Sequence, residues 1–402
     1  MGAIRPRSAF LIVLVSLLLA LPASAGARAD ADGTASASCG AGKLSVAGGC
    51  VSRAVASKHV QALVREAKSE LGLKAAIVRV DTGSQPLAEF AVGNSMAGTP
   101  ASPDMYFRIG SMAIPQMITV LLQLQDEGRL SLDDKLAKYR PQLPNADRIT
   151  LRMLATSTSG YLDWIQGNQS FVEALLENPF RFWTPTELLQ IAFARGQICE
   201  PGTCFHYAHT NFSVLSQVIA EVTGHSMERE IRERVLEPLG LRHTQISRNA
   251  AFPGPALHSY TSLRGPYEDA TFWSPSWTIG AGQVMSATIG DVARAASAIG
   301  SGELVSPAAA RETVANTSAG LAGTNPDYYY GLGEIVAGDW VVQPPMLNGY
   351  TGIMAYSAKR KLSIAIVTTI LPGTDPERYY ATLLFERIGA YLAPGQPINL
   401  PD

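Results

Sequence analysis

The sequence predicts an α/β (α+β) fold in which one antiparallel sheet is built from both ends of the chain. Three observations carry that expectation. Short apolar and β-branched runs gather near the start and again after about residue 325. Segments of helical period fill the stretch between them, and an amphipathic helix flanks the strands at each end.

From Ala54 to Leu73, the residues Val60, Leu63, Val64, Ala67 and Leu71 recur at helical spacing, which marks an amphipathic helix. Lys74–Val80 and Pro86–Val92 read as strands. The middle is mostly helical: Ile149–Ser157, Phe171–Leu176, Thr184–Arg195, Asn211–Val222 and Met227–Leu236. Strands return at Tyr328–Val336, Trp340–Gln343, Ile353–Lys359 and Leu362–Ile370. A last helix is expected over Asp375–Tyr391, with Asp375 as cap and Pro376 at its first position. This order implies one domain over residues 54–395, with a helical insertion over about 111–290 packed beside the sheet.

The chain has 402 residues, 47% hydrophobic and 16% charged, with net charge −2. That length can bury a large core. The near-neutral balance gives no reason to expect nucleic acid or an anionic membrane surface as partner. Arg5 and Arg7 precede an apolar run from Ala9 to Leu21, then Pro22 and the small residues Ala23-Ser24-Ala25. Residues 1–25 therefore read as a secretory signal peptide, with an uncleaved anchor as the alternative. Residues 26–53 read as a flexible segment, its first part rich in Ala, Ser, Gly and Asp.

Export fits the four cysteines. Cys39 and Cys50 bracket a Gly-rich segment, and Cys199 and Cys204 bracket the turn sequence Glu200-Pro201-Gly202-Thr203. Two local disulfides, 39–50 and 199–204, are expected in an oxidising compartment. Free buried thiols and a lipidated Cys39 are the alternatives. The spacing does not suggest zinc, and no metal or other cofactor is expected.

The stretch Phe107–Tyr139 organises the rest. Ser111 sits where an irregular approach gives way to a helix whose apolar face carries Met117, Val120, Leu121 and Leu124, and Gly128 ends it. A serine there can cap the helix. It can also be a nucleophile, because the helix end favours an oxygen that becomes negative. The stretch Ser111-Met112-Ala113-Ile114, with Gly128-Arg129-Leu130-Ser131-Leu132-Asp133-Asp134 after it, resembles the nucleophile region of the serine β-lactamase and penicillin-binding-protein superfamily. Its closest style is that of class C β-lactamases, DD-carboxypeptidases and β-lactamase-like esterases. Further echoes are Thr158-Ser159-Gly160, Pro201 to Tyr207, Glu237-Pro238-Leu239-Gly240-Leu241, Ala281-Gly282 with Ser286 and Asp291, and Tyr330-Gly331-Leu332-Gly333. The resemblance implies a β-lactamase/transpeptidase-like fold and acyl-transfer chemistry on Ser111.

Each of the family's three motifs departs at its chemical position. In S-x-x-K the lysine is Ile114, which has no lone pair and no charge. General-base help is worth about a hundred- to ten-thousand-fold in rate, so the loss is large. In Y-x-N, Tyr207 is kept and His209 replaces the asparagine. Without a cation, the Tyr207 phenol is expected to stay near its ordinary value of about 10. It then serves as a cleft-wall hydrogen bonder. His209 can be a structural hydrogen bonder or a substitute base for Ser111. A metal pair of His206 and His209 lacks a third ligand. The third motif, K-T-G or H-x-G, is matched by Tyr350-Thr351-Gly352, with tyrosine in place of the cation. These three are the candidate substrate-binding residues, with an ordinary strand start as the alternative. The loop Phe272-Trp273-Ser274-Pro275-Ser276-Trp277 reads as a cleft wall or as satellite core.

Three functions follow as expectations. The first is an exported serine hydrolase-fold protein with a degenerate site that binds a small-molecule or peptide-like cell-envelope ligand or partner. The second is an active hydrolase of esterase, DD-peptidase or β-lactamase type using Ser111 with an unusual base. The third is an envelope scaffold without a cleft ligand.

Overall fold

The computed structural model describes residues 39–247, 249–278, 284–396 and 400. The expected signal segment, residues 26–38 of the segment expected to be flexible and the Ala281-Gly282 echo lie outside the described residues, whereas Lys43–Val46 and Gly49–Ser52 of that segment pair as two antiparallel strands.

The centre is an antiparallel sheet ordered Tyr328–Tyr330, Ile335–Ala337, Trp340–Gln343, Tyr350–Ser357, Leu362–Ile370, Leu73–Thr82, Gln85–Met96 and Thr99–Pro100. Met346–Leu347 adds a short pairing to the start of Tyr350–Ser357. Strands from the two chain ends meet where Leu362–Ile370 pairs with Leu73–Thr82, with Ile366 opposite Val78. The expected construction from both termini is therefore present.

The alternation within Leu73–Thr82 explains why the sheet is buried on both faces. Ala76, Val78 and Val80 join one apolar cluster, and Ala75 and Ile77 join another. The first cluster is completed by two helices. Arg53–Glu70 contributes Ala56, Val60, Val64 and Ala67, one apolar stripe at helical spacing. Tyr380–Leu392 contributes Ala381, Leu384, Phe385 and Ile388. On the opposite face, the helix Ile289–Gly300 packs on the sheet through Ile289, Val292, Ala293 and Ala296. Behind it lies the Ile114–Asp126 helix, whose turns are buried almost all round.

Three local expectations need correction. The run Tyr328–Val336 is two strands, because Gly331-Leu332-Gly333-Glu334 turns the chain into a hairpin. Gly331 N–H closes that turn on Glu334 O at 2.8 Å. The last helix begins at Tyr380 rather than Asp375. Asp375 accepts from Glu377 N–H at 2.9 Å, a local Asx turn that competes with helix initiation. Ser111 is not a helix cap. It lies in a 3-10 turn, Gly110–Ala113, that feeds the Ile114–Asp126 helix, and neither element has a side-chain cap bond. Its hydroxyl is therefore not committed to capping.

Both expected disulfides, Cys39–Cys50 and Cys199–Cys204, are formed, and no described cysteine is free. No helix among the described residues is long and apolar enough to cross a membrane.

Candidate functional site around Ser111

Ser111 is half-buried between the sheet and the helical region. Met112 and Ile114, on either side of the same turn, are fully buried. The sheet comes close here because Gly352 has no side chain: a Cβ on it would stand 2.6 Å from Met112 Cε. Behind the nucleophile turn the limit is equally tight. A Cβ on Gly333, itself at φ 72°, would stand 2.9 Å from Ile114 Cγ2 and 2.5 Å from Ile118 Cγ1. Ile114 therefore packs on the Gly333 backbone, and its burial is worth roughly 1.5–3 kcal/mol.

Tyr207 reaches Ser111. Its phenol is a hydrogen-bonding neighbour of the Ser111 side chain. Burial pushes that phenol well above the ordinary tyrosine range, and the negative Asp163 and the neighbouring Tyr379 push the same way. The expectation of an ordinary value is thus corrected upward, since burial acts in addition to the missing cation. The ring stands in an aromatic wall, 5.9 Å from Tyr330, 6.0 Å from Phe212 and 5.3 Å from His209. At neutral pH it is a donor, not a base.

His209 opens the helix His209–Thr223, whose cap residue Ala208 offers no side-chain acceptor. Asp163 supplies one from a distance. Its Oδ2 accepts from the His209 backbone N–H and, at 2.8 Å, from His209 Nδ1. Its Oδ1 accepts from Ile165 N–H at 2.7 Å and Gln166 N–H at 3.2 Å. Burial raises the pKa of Asp163, but the His209 charge, its hydrogen bond and these backbone donors outweigh that and hold it below the ordinary carboxylate value. A carboxylate only accepts, so Nδ1 is the donor, and in the neutral form of the ring the lone pair is on Nε2. Trp164 and Trp277 flank the ring at centroid distances of 5.6 and 6.5 Å. No hydrogen bond joins Ser111 to His209 directly among the described residues. Tyr207 neighbours both, with its ring edge-on to that of His209.

The turn that carries Asp163 is fixed by its glycine. Gly160 has φ 79°, and a Cβ there would meet Cys199 O at 2.2 Å. Ser159 Oγ donates to Asn211 Oδ1 at 2.5 Å, tying the turn to the helix that follows His209. The loop Phe272 to Trp277 packs mainly as satellite core. Trp273 and Trp277 are buried, Trp277 O accepts from Trp164 Nε1 at 2.9 Å, and Phe272 is half exposed.

Alternation on the Tyr350–Ser357 strand separates the third set of residues. Gly352 and Tyr350 face the Ser111 side, but the Tyr350 phenol donates to Leu257 O and is buried. Burial pushes its pKa far up, so it is neutral. Thr351 points to the opposite face, where its hydroxyl meets Thr368 Oγ1 at 2.7 Å and accepts from Ala381 N–H at 3.0 Å. It braces the C-terminal helix. Of the three, Gly352 alone lies against the nucleophile turn.

Sequence reading missed Asp163, Trp164, Glu334 and Arg108, and met Tyr330 only within the Tyr330-Gly331-Leu332-Gly333 echo. Asp163 had one signal, an acid three residues beyond Gly160. Arg108 had another, a lone cation inside the apolar run Met105–Ile109. No described group of acidic, cysteine and histidine side chains is arranged to hold a metal ion.

Comparison with known proteins agrees with this geometry. Residues 60–387 match the profile of the family described as Beta-lactamase. Penicillin-binding protein 4 of Amycolatopsis lactamdurans is 29% identical over 160 residues, 37% of this chain and 38% of that one. A beta-lactamase of Pseudomonas fluorescens is 27% identical over 197 residues, 48% of this chain and 51% of that one. The chain thus spans about a third to a half of the length of the curated relatives it matches. Among solved structures, a D-stereospecific amidohydrolase from Streptomyces sp. superposes with a TM-score of 0.71 at 25% identity, covering 85% of this chain and 99% of that one. The sheet built from both chain ends, the serine at the start of a buried helix and the profile match over most of the chain agree: this protein belongs to the Beta-lactamase family.

Proposed function

We propose that this is an exported family member whose Ser111 cleft binds a peptide-like ligand or partner of the cell envelope, without the lysine-assisted acylation of its relatives. The observation that carries this reading is Ile114, fully buried and packed on Gly333 where the motif resemblance places the lysine. The Tyr207 phenol beside Ser111 has no cation among the groups that act on it, and its proton is held tightly. The cleft keeps a hydroxyl, a phenol and a close strand edge, which suit binding. Export is supported by the two disulfides and by the basic, apolar and small-residue order of residues 1–25. A fluorophosphonate probe followed by intact-mass measurement tests the site: no adduct on Ser111 is expected, and a stoichiometric adduct absent from Ser111→Ala contradicts it.

A second reading is favoured by the Asp163–His209 pair. It makes the protein an active esterase-like or amidase-like hydrolase in which the Tyr207 phenol passes its own proton to His209 Nε2 as it takes the proton of Ser111. Small p-nitrophenyl esters test it, with Ser111→Ala and His209→Ala expected to lose activity together.

A further inference from the structure

The Cys199–Cys204 bridge sits in a strap that runs along the turn before Asp163. Ile198 N–H donates to Gly160 O at 2.9 Å, Gly202 N–H to Thr158 O at 2.8 Å and His206 N–H to Ser157 O at 2.9 Å. The approach is close: a Cβ on Gly160 would also stand 3.5 Å from Cys199 Sγ. Inside the strap, the Thr203 N–H and hydroxyl both donate to Glu200 O, at 3.1 and 2.8 Å. The bridged turn is therefore a compact unit.

The chain that leaves this strap enters the cleft at once. Phe205 stands 5.4 Å from Tyr330 in the aromatic wall. Tyr207, three residues past Cys204, neighbours Ser111, and His209 is held by Asp163. Asp163 in turn lies three residues beyond Gly160. The strap thus fixes both members of the Asp163–His209 pair and the phenol between that pair and the serine.

Two properties make this bridge releasable. Both cysteines are only half-buried, and Glu200, Gly202 and Thr203 around them are exposed, so the sulfurs are within reach of an attacking thiolate. The bridge also spans a sequence separation of 5, and so short a loop restrains the unfolded chain little compared with a long one. No residue from Ile198 to Cys204 belongs to either apolar cluster, so its opening is a local event. The Cys39–Cys50 bridge differs in place. It closes the hairpin of Lys43–Val46 and Gly49–Ser52, whose Val46 joins the cluster on the sheet face away from Ser111.

We propose that Cys199–Cys204 is a redox-sensitive clamp on the Ser111 cleft, opened by a thioredoxin-like dithiol protein of the cell envelope. One thiolate of the dithiol attacks a bridge sulfur, and the other cysteine leaves as a thiolate. The second thiol of the dithiol then resolves the mixed disulfide. The dithiol ends as a disulfide, and two electrons and two protons end on Cys199 and Cys204 as two thiols. The strap lets go of Ser157–Gly160, and Tyr207 and His209 lose their fixed places beside Ser111 and Asp163. The inference rests on the reading of the Ser111 cleft as the functional site and adds its regulation.

The test treats the folded full chain carrying Cys39→Ser and Cys50→Ser, in which the clamp is the one remaining bridge, with reduced thioredoxin. Iodoacetamide trapping shows when the clamp is open, and hydrogen–deuterium exchange read by mass spectrometry shows what moves. Peptides over residues 157–163 and 198–211 are expected to exchange at least about ten-fold faster after reduction, while Leu362–Ile370 stays unchanged. Reoxidation is expected to reverse the change, and Cys199→Ser with Cys204→Ser in the otherwise unaltered chain to show it without reductant. A bridge that thioredoxin leaves closed, or unchanged exchange over 207–211 once it is open, overturns the clamp. Faster exchange throughout the sheet, or failure of the Cys199→Ser, Cys204→Ser chain to fold, also overturns it, since the bridge is then a general staple. None of these results decides whether the cleft binds a ligand, which the fluorophosphonate experiment judges separately.

Discussion

Ile114 and Gly333 are in direct packing contact: any side chain on Gly333 would begin 2.9 Å from Ile114 Cγ2. This contact joins the nucleophile turn to the hairpin between Tyr330 and Ile335. It also explains why the altered motif is stable. An aliphatic side chain fills a sealed space that a lysine would enter only by desolvating its ammonium.

Ile114→Lys should therefore destabilise the protein, by roughly 2–4 kcal/mol, through burial of an unpaired charge. Chemical denaturation of the variant against wild type measures this. Equal stability would mean that position 114 faces water, and the placing of the site would be wrong.

Glu334, next to Gly333, gives a pH-dependent signature. It is 2% exposed beside Pro115, Ile118 and Thr119, and its Oε2 has no partner. Burial raises its pKa from 4.5 to about 8. Between those values the folded protein holds the proton and the unfolded chain has released it. The stabilising contribution is present below 4.5 and is lost as pH rises through about 8. The slope is about −1.4 kcal/mol per pH unit. The nearest titrating neighbour, Tyr330, is itself pushed well above its ordinary range and stays neutral in this window. Glu334→Gln should remove this slope. Denaturation at about pH 5 and about pH 8 should show the variant gaining on wild type at the higher value. Parallel behaviour of the two proteins would show that Glu334 is not buried as a neutral acid.

Asp163→Ala should cost at least about 2 kcal/mol, because four donors, including the first N–H of the His209–Thr223 helix, lose their acceptor. The folded-state value of this carboxyl is depressed. Its contribution is therefore present above the unfolded carboxylate range and is lost as pH falls through the folded value. Wild type should lose stability in acid more steeply than the variant. A similar acid limb in both would remove Asp163 from that role. Where the esterase reading holds, Asp163→Asn should also slow ester hydrolysis with little change in KM, since it disturbs His209 and not the substrate.

Much of the fold was legible because its signals are periodic. The apolar, β-branched run in Lys74–Val80 and the helical stripe through Val60, Val64 and Ala67 needed no tertiary information. The hairpin at Gly331–Glu334 was not legible, because the strand-like residues on both sides read as one run. The start of the last helix was misplaced for a related reason: Asp375 and Pro376 are good helix openers, but the Asx turn claimed them first. At the site, Ser111, Tyr207 and His209 could be picked out by resemblance to the family's motifs, and Ser111–Tyr207 and Tyr207–His209 are indeed neighbours. Asp163 and Arg108 could not, since a partner 46 residues away and a missing counter-charge are visible only in three dimensions. Thr351 shows the opposite limit: a motif match says nothing of which face of the strand a side chain takes.

The most direct measurement is the intact mass of the protein after incubation with benzylpenicillin, with Ser111→Ala in parallel. With Ile114 in place of lysine and a protonated Tyr207 phenol beside Ser111, general-base help worth about a hundred- to ten-thousand-fold is absent. The mass should stay that of the disulfide-bonded chain. A stoichiometric penicilloyl adduct on wild type that is lost in Ser111→Ala would contradict the account at its centre.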